Sequence, residues 1–240
     1  NPGTTELPIM EALPDYPQLK FVLGLQESVV MGMADGFARA SRKLTAANVH
    51  VAPGLGNAMG ALYNAKFSGS PVILTAGQQE QGHGLLEPLL YDDLASMAAP
   101  LVKWSIEVTR LQDLPLIMRR AAKIAMTPPT GPVFISLPGD ILNDMAEIEL
   151  GQSVRIDNRV RPSDASLSEL ANALLSAKNP VIISGKELNT PQAFADAAEL
   201  ATLMGQVCFK SLCPTAPVFL HPTRITLACS HATKTMCAKP

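Results

Sequence analysis

The pattern of apolar and polar positions along this chain divides it into alternating strand and helix candidates. KFVLGL, Lys20 to Leu25, reads as a short strand. Glu27 heads the run ESVVMGMADGFARA, which carries a helical pattern to about Ala40. LTAANVHVAP is the next strand region, GLGNAMGALYNAKFSG a turn and helix, and PVILTAG, Pro71 to Gly77, an apolar strand. QQEQGHGLLEPLLYDDLASMAAP predicts a long loop with one or two short helices. LVKWSIEV has the period of a strand, DLPLIMRRAAKIAM is an amphipathic helix, and Val133 to Leu137 is a further strand with a Pro-Gly-Asp exit. Near-continuous apolar strands flanked by helices argue for a parallel sheet covered on both faces.

The same pattern sets the domain organisation. Residues 1–145 form the first α/β domain, and the chain enters it abruptly at the turn Asn1-Pro2-Gly3, with Thr4 or Thr5 as candidate cap of the first helix. Residues 146–163 are polar and poorly periodic, as in a linker. From 164 a second α/β domain begins: DASLSELANALLSAK predicts a helix, NPVIISGKEL a strand, and TPQAFADAAELATLMG a helix with Thr190 as its cap. After about residue 206 the apolar periodicity breaks down, so this domain, 164–240, is expected to be incomplete, with an atypical tail. The missing strand before the opening turn and the odd tail together predict a truncated or frame-disrupted product.

Composition narrows the function classes. A net charge of −2, with no long basic run, leaves no electrostatic footprint for nucleic acid. There is no apolar span of membrane length, and no targeting segment is evident. Every cysteine lies at or beyond Cys208, so the main domain uses no disulfide and a cytoplasmic location is expected. The spacings Cys208-x4-Cys213 and Cys229-x-His231-x5-Cys237 are not those of a tight zinc site, and no metal ligands are assigned.

Four features could carry chemistry. Glu27 places a carboxylate among Leu23, Leu25, Val29 and Val30. It is either a solvated first-turn residue favoured by the helix dipole or an acid/base group whose pKa is raised by apolar surroundings. Pro53-Gly54-Leu55-Gly56-Asn57 has the look of a phosphate-cradling turn, although close helix–sheet packing accounts for its glycines equally well. His50 ends a strand, at the sheet edge where ligands gather in parallel α/β folds; a hydrogen-bonded structural histidine is the simpler account. His83 sits on a Gly-flanked loop, facing either solvent or substrate.

NPGTTELP, LQESVVMGMADGFARASRK, GLGNAMGALYNA, SPVILTAGQQ, PLVKWS and GPVFISLP together resemble the pyrimidine-binding domain of thiamine-diphosphate-dependent enzymes. The likeness is greatest to the benzoylformate decarboxylases, and the acetolactate synthases share it. It runs from residue 1 to about 145, and more weakly to about 206.

The resemblance implies a parallel-sheet sandwich domain and non-oxidative decarboxylation of a 2-oxo acid, with carboligation or a non-catalytic partner subunit as alternatives. Glu27 matches the glutamate that hydrogen-bonds the cofactor's aminopyrimidine ring, and His50 the active-site histidine that moves protons. Pro2, Gly3 and Thr4 match the substrate pocket, Thr4 standing where a serine is usual. His83 has no match in the decarboxylases, and with Gln78 and Gln79 it is expected to adapt the substrate loop to a different 2-oxo acid. Gly54, Asn57 and Gln79 join Glu27 on the cofactor side. The family's Mg²⁺ and diphosphate are held by a further domain whose motifs are absent here, so these 240 residues are expected to be inactive alone. The complete enzyme is expected to be a homodimer or homotetramer.

Overall fold

The computed structural model describes residues 1–152, 161–178, 180–185, 188 and 191–204 in full, and 208–213, 216–221 and 224–227 as backbone. The chain divides into two compact units, Asn1–Asn158 and Arg159–Pro240.

In the first unit a short helix α1 (Leu7–Ala12) precedes α2 (Glu27–Ser41), followed by β1 (Thr45–Val49), α3 (Val51–Ser68), β2 (Val72–Gln78), α4 (Leu94–Ala98), β3 (Ser105–Glu107), α5 (Leu114–Met126), β4 (Val133–Pro138) and α6 (Gly139–Asn143). The strands form one parallel sheet in the order β1-β2-β4-β3. Alternation along the central strands explains their unbroken apolar character. Leu74 and Phe134 join Met31, Leu55 and Leu62 in a core beneath α2 and α3. Ile73, Val133, Ile135 and Leu137 join Ile117, Ala121 and Ala125 in a second core beneath α5. Both faces are therefore buried, as a parallel sheet requires.

Three local expectations are corrected. Residues 20–25 form no strand and have no ladder partner among the described residues, leaving Phe21, Val22, Leu23 and Leu25 exposed. Strand propensity is not enough where no neighbour supplies hydrogen bonds. The Pro53–Asn57 stretch is no turn: α3 begins at Val51 and runs through it. Proline is tolerated in a first helical turn because its missing N–H would be unpaired there anyway. Neither Thr4 nor Thr5 caps α1; Glu6 stands at the cap position and its side chain makes no capping bond.

The start of the expected linker is docked rather than free. Ile148 packs against the α5 core, and Arg119 Nη1 donates to the Leu150 carbonyl.

In the second unit α7 (Asp164–Ser176) is capped by Ser163, whose hydroxyl accepts from Ser166 N at 3.2 Å. β5 (Ile182–Ser184) and α8 (Pro191–Leu203) follow. Strands β6 (Cys208–Cys213), β7 (Ala216–His221) and β8 (Arg224–Leu227) then complete a sheet ordered β5-β6-β7-β8. β5 and β6 are parallel, and the remaining pairs antiparallel. The tail thus holds regular strands where its sequence pattern predicted none. Thr190, Cys229, His231 and Cys237 lie outside the described residues.

Candidate active site

The parallel sheet delivers two strand ends to one place. β1 ends at Val49 and β2 passes through Gly77, and parallel-strand termini of this kind are where α/β folds hold their ligands. Against them lie the N-terminus of α2, which begins with Glu27, and that of α3, whose cap position is His50. Gln26 starts α2 by accepting from Val29 N at 3.1 Å, which leaves Glu27 in the first turn with its carboxylate directed across to α3 and the N-terminal segment.

Glu27 is 9% exposed. Its Oε1 accepts from the Asn1 carboxamide at 2.6 Å and its Oε2 from the Asn57 carboxamide at 3.1 Å. Burial pushes this carboxyl up, but hydrogen bonds from its own backbone N–H, Asn57 and Asn1 hold it below its ordinary value. The raised pKa expected from the apolar sequence around it is corrected accordingly: Leu23, Leu25 and Val29 are exposed and do not enclose it. A carboxylate has about four lone-pair sites, so these partners leave room for one further donor.

His50 is held on one side only. Its Nδ1 lies 2.8 Å from Oε2 of Glu6, a residue with no solvent exposure. The same Oε2 accepts from Gly3 N at 2.7 Å, and Oε1 accepts from Gly77 N at 2.7 Å. Gly3 and Gly77 are needed at these points, because a Cβ on Gly3 would overlap the imidazole and one on Gly77 the Glu6 carboxylate. The imidazole's side-chain exposure is 26%, and Nε2 makes no hydrogen bond to any described residue. Val51, next in the chain and fully buried, has φ +43°. That is a left-handed conformation that costs a β-branched residue about 1–3 kcal/mol.

The structure thus gathers Asn1, Gly3, Glu6, Glu27, His50 and Asn57. Gly54 lies beneath Glu27, where a Cβ would meet its Cγ at an ordinary 3.5 Å. Pro2 is half-buried and Thr4 exposed, both on the segment that crosses the cluster. Gln79 belongs instead to the loop after β2: its side chain donates to the Leu89 carbonyl at 3.0 Å. His83 is 55% exposed on that loop and has Glu80 as its nearest charged partner, at 4.0 Å. Glu6 was missed in the sequence. Its signal was an acid opening a helix between Thr5 and Leu7, with no acceptor role required of it there. Asn1 was not singled out either.

The profile described as "Thiamine pyrophosphate enzyme, N-terminal TPP binding domain" matches residues 1–95. The benzoylformate decarboxylase of Pseudomonas aeruginosa is 38% identical over 228 residues, 93% of this chain and 42% of the relative. The acetolactate synthase isozyme 1 large subunit of Escherichia coli is 28% identical over 205 residues, 84% of this chain and 36% of the relative. The solved thiamine diphosphate-dependent 4-hydroxybenzoylformate decarboxylase of Rhodococcus jostii RHA1 superposes with a TM-score of 0.81 at 36% identity, covering 90% of this chain and 41% of that one. The chain therefore spans less than half the length of these relatives. It is a member of the thiamine-diphosphate-dependent enzyme superfamily, with the N-terminal pyrimidine-binding domain present. Within that superfamily it is related to benzoylformate decarboxylase.

Proposed function

We propose that the whole protein decarboxylates a benzoylformate-like 2-oxo acid without oxidation, releasing an aldehyde and CO2, with thiamine diphosphate and Mg²⁺ bound. The observation that carries this reading is Glu27: a nearly buried carboxylate at a parallel-sheet edge, held by two carboxamides and able to take one more donor. That is the acceptor the ring N–H of a protonated aminopyrimidine requires, so the residues present fit the cofactor. When bound, thiamine diphosphate supplies the electron sink for the pair left behind by CO2.

The chain's own residues bind and move protons. Glu27 exchanges a proton with the aminopyrimidine ring, and Asn57 fixes the carboxylate while it does so. Gly54 and Gln79 border the cofactor. His50 gives and takes protons at Nε2 where the substrate reacts, and Pro2, Gly3 and Thr4 shape the pocket beside it. His83 reaches the substrate from its loop. Residues 1–145 act as the pyrimidine-binding domain, 146–163 as a linker and 164–240 as part of the following domain. Mg²⁺ and the diphosphate are held by a further domain of the whole protein. The complete enzyme is a cytoplasmic homodimer or homotetramer.

The test is turnover by the natural protein loaded with thiamine diphosphate and Mg²⁺, offered benzoylformate and pyruvate in turn. An aldehyde as sole organic product is expected, and Glu27→Gln is expected to lower kcat by about 10²–10⁴-fold. Wild-type turnover by Glu27→Gln would refute the assignment. A condensed 2-hydroxy ketone would favour the carboligase chemistry named for the acetolactate synthase relative.

A further inference from the structure

The reaction proposed above uses His50 at Nε2, yet most of the construction around this histidine is on its other side. Glu6 is fully buried and its side chain contributes nothing to the cap of α1, so the helix it begins does not explain it. A buried carboxyl is costly unless its hydrogen bonds are made. Here Gly77 N–H fills Oε1, Gly3 N–H fills Oε2, and His50 Nδ1 takes the remaining close approach at 2.8 Å. Two glycines without room for a Cβ and a left-handed valine secure the same pose. Both Glu6 oxygens already accept from backbone N–H groups, so the group arriving from His50 is best met as a third donor.

We propose that Glu6 is a positioning residue that fixes His50 in the tautomer protonated on Nδ1, so that Nε2 presents its lone pair to the cleft. The tautomer of a histidine is set by what its other nitrogen touches. Without Glu6 the ring is free to carry its proton on Nε2, and the cleft then faces a donor where the proposed chemistry needs an acceptor. The functional consequence rests on the decarboxylase reading; the tautomer itself does not.

The decisive measurement is the tautomer of His50 by ¹⁵N NMR of the histidine-labelled chain at a pH where the ring is neutral. His50→Gln identifies its signals. The wild type is expected to show protonated Nδ1 and unprotonated Nε2. In Glu6→Gln, an amide NH2 on the His50 side faces the half-buried Gly3 N–H, whereas on the other side it would face the buried Gly77 N–H. The first arrangement is less costly, and it offers His50 a donor. Glu6→Gln is therefore expected to move the proton to Nε2, and in the loaded natural protein to lower kcat by about 10²–10⁴-fold with little change in KM.

A wild-type ring protonated on Nε2 overturns the proposal, as does a folded Glu6→Gln chain whose tautomer is unchanged. The wild-type spectrum decides the matter even where the variant does not fold. A switched tautomer with kcat intact upholds the assignment of Glu6 and removes His50 from the proposed reaction.

Discussion

Asn1, Gly3 and Glu6 lie within six residues of one another and between them touch both Glu27 and His50. The glycine is the least replaceable of the three by size. Gly3→Ala and Gly77→Ala are each expected to cost about 1–3 kcal/mol, the usual range for forcing atoms into a filled site. Urea unfolding measures this, and unchanged midpoints would show that the cluster is looser than its geometry. Glu27 carries a pH signature. Its carboxyl is held below its ordinary 4.5, so its stabilisation is complete above that pH and is lost as pH falls through the folded value. Melting from neutral pH to about pH 3 should therefore show a shallower acid limb for Glu27→Gln than for wild type. Glu27 and His50 were singled out in the sequence because one is a carboxylate heading a helix amid apolar residues and the other a histidine ending a strand. Glu6 was not, because its partners at Gly77 and His50 are 71 and 44 residues away.

At the scale of elements, α3 shows why local turn signals mislead. Pro-Gly-Leu-Gly-Asn carries strong punctuation, but Leu55, Ala58, Leu62 and Ala65 recur at helical spacing and all are buried. Burial of that stripe wins over the preferences of exposed Gly56 and Gly60. Neither glycine has anything within 4 Å of its Cβ position. Gly56→Ala and Gly60→Ala in the 240-residue chain are each expected to stabilise by about 0.5–1 kcal/mol, because glycine loses more conformational freedom in a helix than alanine. A fall in Tm for both would mean these positions are packed in solution. Segment 20–25 fails in the opposite sense: its strand character is plain, but pairing is a property of two strands and only one was legible. The central strands β2 and β4 were read correctly because burial on both faces leaves an unmistakable apolar run.

At the scale of the molecule, the helices nearest the site are uncovered on their outer side among the described residues. α2 exposes Val29, Met33 and Phe37 at four-residue intervals, with Gly32 and Gly36 beside them. α3 exposes Tyr63 and Phe67 together with its two bare glycines. Apolar faces of this kind mark association surfaces, which supports the proposed homo-oligomer. Met33→Glu combined with Phe37→Glu is expected to shift the natural protein to a monomer in sedimentation, and an unchanged mass would place the interface elsewhere. Sequence pattern revealed these helices but not this face, since the same residues satisfy a core stripe equally well until a structure shows which side is covered.

The loop after β2 is hung from its ends. Gln78 donates to the Asp92 carbonyl at 2.7 Å, Gln79 to the Leu89 carbonyl at 3.0 Å, and Gln81 to Asp140 at 2.8 Å. The first two bonds reach main-chain oxygens, which every amino acid supplies. Side chains at Leu85, Leu86 and Leu89, all exposed, can therefore change without undoing those anchors. On the proposed reading, a descendant of this chain can acquire a new substrate by redrafting that span alone, leaving Glu27 and His50 untouched, so that selectivity and chemistry are separately heritable.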